Sequence, residues 1–214
     1  MLYVKVLVGL PIEGSFDYFV PQHLENEVAV GKRVWIPFRD KKCVGYIIKL
    51  TGESKVKKIK PLYKVIDKFP ILDKRLLNLA KLISEYYFCY WGEAVDLILP
   101  KALREGKVVD IKPYSIKFSS EVNRILLIQD LKGYGRWQIY EKKIKEKLDY
   151  GQAVIFLVPE IDEICKVVKK IKERFNEEVV IFNSKQSDRL NLLSWQKVKN
   201  GEVKIAVGTR MAVF

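Results

Sequence analysis

The stretch ILLIQDLKGYGRWQIY, Ile125–Tyr140, joins an apolar run to a segment of helical period through a loop with glycines at 133 and 135. An apolar strand, a glycine-bearing loop and a helix, in that order, can open a nucleotide-binding α/β unit. The same order also describes an ordinary strand-to-helix turn. In a phosphate-binding loop, GxxxxGK[ST], the glycines let backbone N–H groups close on phosphates, the lysine neutralises charge and the hydroxyl holds magnesium. Aligned on Gly135, this chain has Gln129 at the first glycine, Arg136 at the lysine and Trp137 at the hydroxyl. Of the strict pattern only Gly135 survives, and by motif alone the ordinary turn is the better reading. Gly133, Gly135 and Arg136 are the candidates for a degenerate nucleotide site.

Downstream of that loop the period is that of alternating strands and helices. Strands are expected at ILLI (125–128), AVIFLV (153–158), VVIF (179–182) and VKIAV (203–207), with helices near 137–148, 160–175 and 188–200. These strands are continuous apolar runs, the pattern of strands buried on both faces of a parallel sheet. Ile161, Ile164, Val167, Val168, Ile171 and Phe175 share one face of the second helix, and Pro159 suits its start. Thr209 and Arg210, in GTRMAVF, follow the last strand at the edge where α/β sheets place ligands. A hydroxyl, an arginine and loop amides there can grip a phosphate, or form a plain surface loop.

Upstream the rhythm is different. LYVKVLVGL, SFDYFVP, RVWIPF and CVGYIIKL are short strand candidates separated by turns with Pro and Gly. Their spacing suggests a small β-barrel or sandwich. A helix is expected to open near Leu72–Asp73 with Asp73 as N-cap and Leu76, Leu79, Ala80, Ile83 and Tyr87 as its buried stripe. The fold class is α/β overall: a small β-rich domain followed by a partial parallel α/β lobe.

The chain has 214 residues, 49% of them hydrophobic, with a formal net charge of +13. Such a basic chain attracts polyanions, nucleic acid first. A lysine-rich solvated surface would carry the same charge. Cys43, Cys89 and Cys165 stand apart with no CxxC pair, so a zinc site or disulfide framework is not expected and a reducing cytoplasm is. No run reaches the roughly 18 apolar residues of a membrane helix, and the apolar N-terminus reads as a strand rather than a signal peptide. In SFDYFVP, Asp17 can accept a hydrogen bond from a sugar hydroxyl while Phe16 or Tyr18 stacks on a base. The plainer alternative, two core aromatics and a turn aspartate, is favoured on these residues alone. His23 has no partner in the sequence and no catalytic role. YYFCYW, Tyr86–Trp91, could stack on bases but reads better as core at a helix end.

At these residues the chain resembles the amino-terminal part of the PriA family (primosomal protein N′), bacterial replication-restart helicases. LPIEGSFDYFVP and VGKRVWIPF resemble the family's first strands; IKPLYKVID and YYFCYWGEAVDLILP resemble the end of its 3′-DNA-end-binding domain. YGQAVIFLVPEI and the run from KERF to GTRMAVF resemble its first helicase lobe. The resemblance implies a 3′-DNA-end-binding domain over 1–108, a linker over 109–123 where the family's winged helix is missing, and over 124–214 a partial, RecA-like lobe 1 of a superfamily 2 helicase. It assigns Phe16, Asp17, Tyr18, Arg39 and Lys60 to the 3′-end pocket, with Arg39 standing where the family has a small residue. Thr209 and Arg210 match a motif that follows the DNA backbone, and Pro159 and Glu160 an upstream one.

The family's GSGKT is here Gly133, Tyr134, Gly135, Arg136 and Trp137. Arginine lacks the compact ammonium of lysine, and tryptophan cannot ligate magnesium. The DExH box, the second lobe and the zinc cysteines lie beyond Phe214 in the resemblance. The expected protein therefore binds DNA at forks in replication restart and primosome assembly without an ATPase of its own. It needs none of the family's ATP, magnesium or zinc, has no catalytic or metal-ligating residue, and has DNA, primosome and single-strand-binding proteins as partners. Two alternatives stay open: a fragment or subunit of an ATP-dependent 3′–5′ helicase, and a non-enzymatic accessory that binds replication proteins.

Overall fold

Tyr3–Val8 forms strand β1, whose alternation buries Val4 and Val6 completely. In the computed structural model, which describes residues 1–112, 125–130 and 135–213, the chain divides into two units, Met1–Lys112 and Pro113–Phe214. In the first unit β1 lies within a five-stranded antiparallel sheet with β2 (Phe16–Phe19), β3 (Arg33–Phe38), β4 (Lys41–Thr51) and β5 (Lys64–Val65), in the order β2-β1-β4-β3-β5.

One segment joins the two edges of this sheet. The Phe19 N–H donates to the Lys60 carbonyl and the Leu62 N–H to the Phe19 carbonyl, both at 3.0 Å. At the next residue, the Tyr63 N–H donates to the Trp35 carbonyl at 2.8 Å, and β5 pairs with β3. The expected barrel is thus formed by closure through residues 60–65, which also protects both sheet edges. Val20, Val34, Ile36 and Ile47 complete its dry interior with Val4 and Val6. Gly31 has φ of 85° and accepts from Ile71 and Leu72 at 3.1 Å; a side chain there would collide with the Leu72 carbonyl.

Arg33 is wholly buried. Its Nε and Nη2 donate to the two carboxylate oxygens of Asp67 at 3.0 and 2.6 Å, Nη1 donates to the Leu103 carbonyl, and Nη2 also donates to the Lys107 carbonyl. A buried charge is tolerated when paired and fully hydrogen-bonded, and here it ties β3 to the end of the unit.

Helix α1 (Lys74–Tyr87) begins at the expected cap, with Asp73 accepting from the N–H groups of Arg75 and Leu76 at 2.9 Å. Its buried stripe differs from expectation. Leu77, Ala80, Ile83 and Ser84 are buried, Leu76 and Leu79 lie at the margin, and Tyr87 is exposed. Helix α2 (Trp91–Leu97) packs on the Leu77 side, where the Trp91 indole N–H donates to the Leu77 carbonyl at 3.3 Å. That contact selects the face. The reading of YYFCYW as core fails for the same reason. The chain turns at Phe88, in left-handed conformation with φ of 53°, leaving Phe88 96% exposed and Tyr86 and Tyr87 exposed beside it. The short helix α3 (Lys101–Arg104) follows Pro100.

The second unit holds a three-stranded parallel sheet, β6 (Val154–Leu157), β7 (Val179–Phe182) and β8 (Ile205–Gly208), in the order β6-β8-β7. Helices α4 (Arg136–Asp149), α5 (Ile161–Arg174) and α6 (Asp188–Lys199) accompany it. The expected stripe of α5 forms: Ile164, Val168 and Ile171 are buried with Ile205 and Val207 of β8. The strand expected at Ile125–Ile128 is not formed, and Ile125 and Leu127 are almost fully exposed. An apolar run becomes a strand only where a neighbour completes its hydrogen bonds and a helix covers its side chains. Burial on both faces holds for the central β8, whereas β6 leaves Ile155 and Leu157 exposed.

Candidate nucleic-acid interface

The pairing of β1 with β2 sets Lys5 opposite Asp17. On the two-residue period of a strand, Phe16 and Tyr18 turn inward and Asp17 turns outward. Tyr18 joins the core, its hydroxyl donating to the Pro37 carbonyl at 3.0 Å, and Phe16 meets Phe38 edge to face at 5.0 Å. The plain reading of Tyr18 therefore holds: a ring 5% exposed has no face for a base. Burial, with the Cys43 charge adding, pushes its phenol up to about 12.

Asp17 lies in a cavity of about 670 Å³ that also includes Phe16, Tyr18, Arg39 and Lys60. The structure thus brings the five 3′-end candidates together. It adds Lys5, Lys49, Lys55 and Lys58 as cations and Ser54 as a hydroxyl, against Glu53 as the second acid. Five lysines and Arg39 against the two acids, Asp17 and Glu53, make the cavity strongly positive, the condition for holding phosphates. Arg39 occupies the two-residue β3–β4 turn with φ of 52°, and its guanidinium lies 5.8 Å from the centre of the Phe38 ring.

The Asp17 carboxylate accepts from Lys5 Nζ at 2.9 Å and from Ser54 Oγ at 2.5 Å. Partial burial alone would raise its pKa. The Ser54 and Lys5 hydrogen bonds and the Lys5 charge outweigh that and hold the carboxyl below its ordinary value. Asp17 is ionised and oriented, able to accept a proton donor from a ligand.

In the second unit Gly133 lies outside the described residues. Gly135 precedes α4 without a side-chain cap, and the Arg136 N–H donates to the Asp130 carboxylate at 3.1 Å. Trp137 stacks on Phe156 at 5.7 Å and an interplanar angle of 26°. Thr209 and Arg210 follow the carboxyl end of β8, the Thr209 N–H donating to Phe182 at 3.3 Å and Arg210 opening a short 3-10 turn. Pro159 and Glu160 follow β6. Leu157 and Gly208 are register partners, so both segments leave the sheet at one edge.

Lys5 and Ser54, the hydrogen-bond partners of Asp17, are among the site residues sequence reasoning missed. Lys5 sits inside an apolar strand, and only knowledge of the β1–β2 register connects it to Asp17. Ser54 lies 37 positions from Asp17 in a lysine-rich loop, with no local signal.

A positive cavity around an oriented carboxylate, on a closed antiparallel sheet, has the charge to hold a polyanion. Residues 5–100 match the family model of the PriA 3′DNA-binding domain. Over its full length the chain is similar to the amino-terminal part of proteins called replication restart protein PriA. The Rickettsia conorii protein is 27% identical over 231 positions, covering 100% of this chain and 35% of that protein. The Treponema pallidum protein is 23% identical, covering 99% of this chain and 36% of that protein. The Haemophilus influenzae protein is 22% identical over 311 positions, covering 100% and 42%. The chain spans less than half the length of these curated relatives. Among the described residues no helix is long and apolar enough to cross a membrane.

Proposed function

We propose that this chain recognises the free 3′ end of a DNA strand at forks, as part of a PriA-like role in replication restart and primosome assembly in the cytoplasm. The observation that carries this reading is the Asp17 carboxylate, ionised and aimed by Lys5 and Ser54 within a lysine-lined cavity. A 3′-hydroxyl can donate to that carboxylate, while the surrounding lysines neutralise the preceding phosphates. A 3′-phosphate brings negative charge against Asp17 and is rejected. Fluorescence anisotropy with forked DNA ending in a 3′-hydroxyl or a 3′-phosphate tests it. Tighter binding of the hydroxyl form is expected, and equal binding overturns the reading.

In this reading 1–108 is the end-binding domain, 109–123 a linker and 124–214 a lobe that no longer hydrolyses ATP. The alignment with the Haemophilus protein runs to 311 positions against 214 residues here, so that relative carries sequence this chain lacks. This supports a missing winged-helix module. The residues of the loop do not fit a magnesium triphosphate. A carboxylate, Asp130, lies on the first amide of α4, and an indole packed on Phe156 replaces the metal-binding hydroxyl. A DNA-stimulated ATPase in the purified chain would overturn this part.

A second reading, docking of a primosome or single-strand-binding protein, is favoured by the exposed cluster of Leu82, Tyr86, Tyr87 and Phe88, since exposed aromatic patches mark interaction sites. Binding to such a protein that survives Tyr86→Ala with Phe88→Ala removes this reading.

A further inference from the structure

A second cavity, of about 340 Å³, lies in the second unit at the carboxyl end of β6 and plays no part in the 3′-end reading. Arg136, Trp137 and Tyr140 of α4 form one wall, Phe156 of β6 the floor, and Lys166 and Lys170 of α5 the other wall. We propose that this cavity binds one nucleotide of a single-stranded DNA segment, with the base against Trp137 and the phosphate among Arg136, Lys166 and Lys170.

The aromatic rings form one block. Trp137 and Phe156 are stacked, and Tyr140 stands edge-on to both, at 5.7 and 5.4 Å. Rings held by one another are fixed before a ligand arrives, which lowers the entropy lost on binding. The Lys170 ammonium, on an exposed side chain, lies 4.8 Å from the centre of the Trp137 ring. A base stacked on an aromatic ring is held more strongly than an exposed ammonium over it. A base therefore displaces Lys170 from the ring, and the freed ammonium turns to the phosphate.

Three cations face one acid, Glu163, across the cavity, a balance that suits a phosphodiester. Its volume is at the small end of ligand sites, which run from about 300 to 1,000 Å³, and suits a single nucleotide. The register of Leu157 with Gly208 brings Thr209 and Arg210 to the same edge of the sheet. A strand with one base in the cavity can continue across that edge. The arginine and tryptophan that spoil a triphosphate loop thus serve another ligand, and the substitution at Trp137 supplies the ring.

The test uses the full chain and a 5′-labelled oligo-dT whose 3′ end is phosphorylated, so that no free 3′-hydroxyl engages Asp17 and failure of the end-recognition reading leaves this one intact. Anisotropy should show that Trp137→Leu weakens binding about 5- to 50-fold. It should also erase the preference of the unaltered chain for oligo-dT over an abasic strand of equal length. Lys170→Gln, on the surface and safe for folding, should weaken binding about threefold and make the salt slope shallower by about one. Free dTMP should not compete at concentrations where the strand is displaced by unlabelled oligo-dT. Equal affinity of the unaltered chain for abasic and dT strands, no change with Lys170→Gln, or displacement by dTMP as effective as by the oligonucleotide would each overturn the proposal.

Discussion

Lys5 and Asp17 are register partners across β1 and β2, and the Lys5 Nζ lies 2.9 Å from the Asp17 carboxylate. The pair is asymmetric, with the lysine partly exposed and the carboxylate nearly covered. The lysine can therefore swing to a phosphate while the carboxylate stays in place, so the two groups can serve adjacent parts of one nucleotide.

Removing the carboxylate should remove end discrimination. Asp17→Ala is expected to bind 3′-hydroxyl and 3′-phosphate forks equally. A hydrogen bond to a charged group contributes about 1.5–3 kcal/mol, so the affinity for the hydroxyl form should fall by about tenfold or more. Competition anisotropy with the two forks measures both effects.

The same pair sets a pH dependence. Asp17 titrates below the ordinary carboxylate value because Ser54 and Lys5 favour its ionised form. Preference for a 3′-hydroxyl should therefore persist as pH falls to that ordinary value and disappear only below it. In Lys5→Met the carboxyl loses its cation, its pKa rises, and the preference should vanish at a higher pH. An unshifted midpoint in the two pH profiles would show that Lys5 does not act through Asp17.

Lys60 lines the cavity, and its carbonyl takes part in closing the barrel. Only the side chain is altered in Lys60→Ala, so closure should survive. Affinity should fall for all sequences alike, and the slope of log affinity against log salt should become shallower by about one. A circular dichroism spectrum matching the parent would accompany that change.

Asp67 is the counter-charge of the buried Arg33. Asp67→Ala leaves a guanidinium uncompensated inside the barrel unit, which should cost about 3–5 kcal/mol. Urea denaturation of the intact chain should show the transition of the first unit moved to lower denaturant. A shift within error of zero would mean water reaches Arg33.

Local signals were legible where the chain satisfies itself. Asp73 caps the helix that follows it because cap and amides are two and three residues apart. The α5 stripe of Ile164, Val168 and Ile171 follows from 3.6-residue periodicity. Asp17 is singled out only through the family resemblance: its neighbours alone favour a turn aspartate, whereas it lies within β2. The strand expected at Ile125–Ile128 and the core expected at Tyr86–Trp91 fail for a shared reason. Hydrophobicity states what a segment would gain from a partner and does not say that one is adjacent.

The sequence by itself determined the two halves, their α/β class, most element positions, and the loss of the lysine and hydroxyl at Arg136 and Trp137. The resemblance to PriA also rested on sequence alone. Tertiary structure decided which side chains meet. Closure through residues 60–65 brings Lys60 and Ser54 to Asp17, register brings Lys5, and the packing of α4 on β6 turns Trp137 onto Phe156. Helix period and capping act within a few residues of chain, whereas a binding cavity is made of contacts between residues far apart in sequence, and only the folded arrangement specifies those.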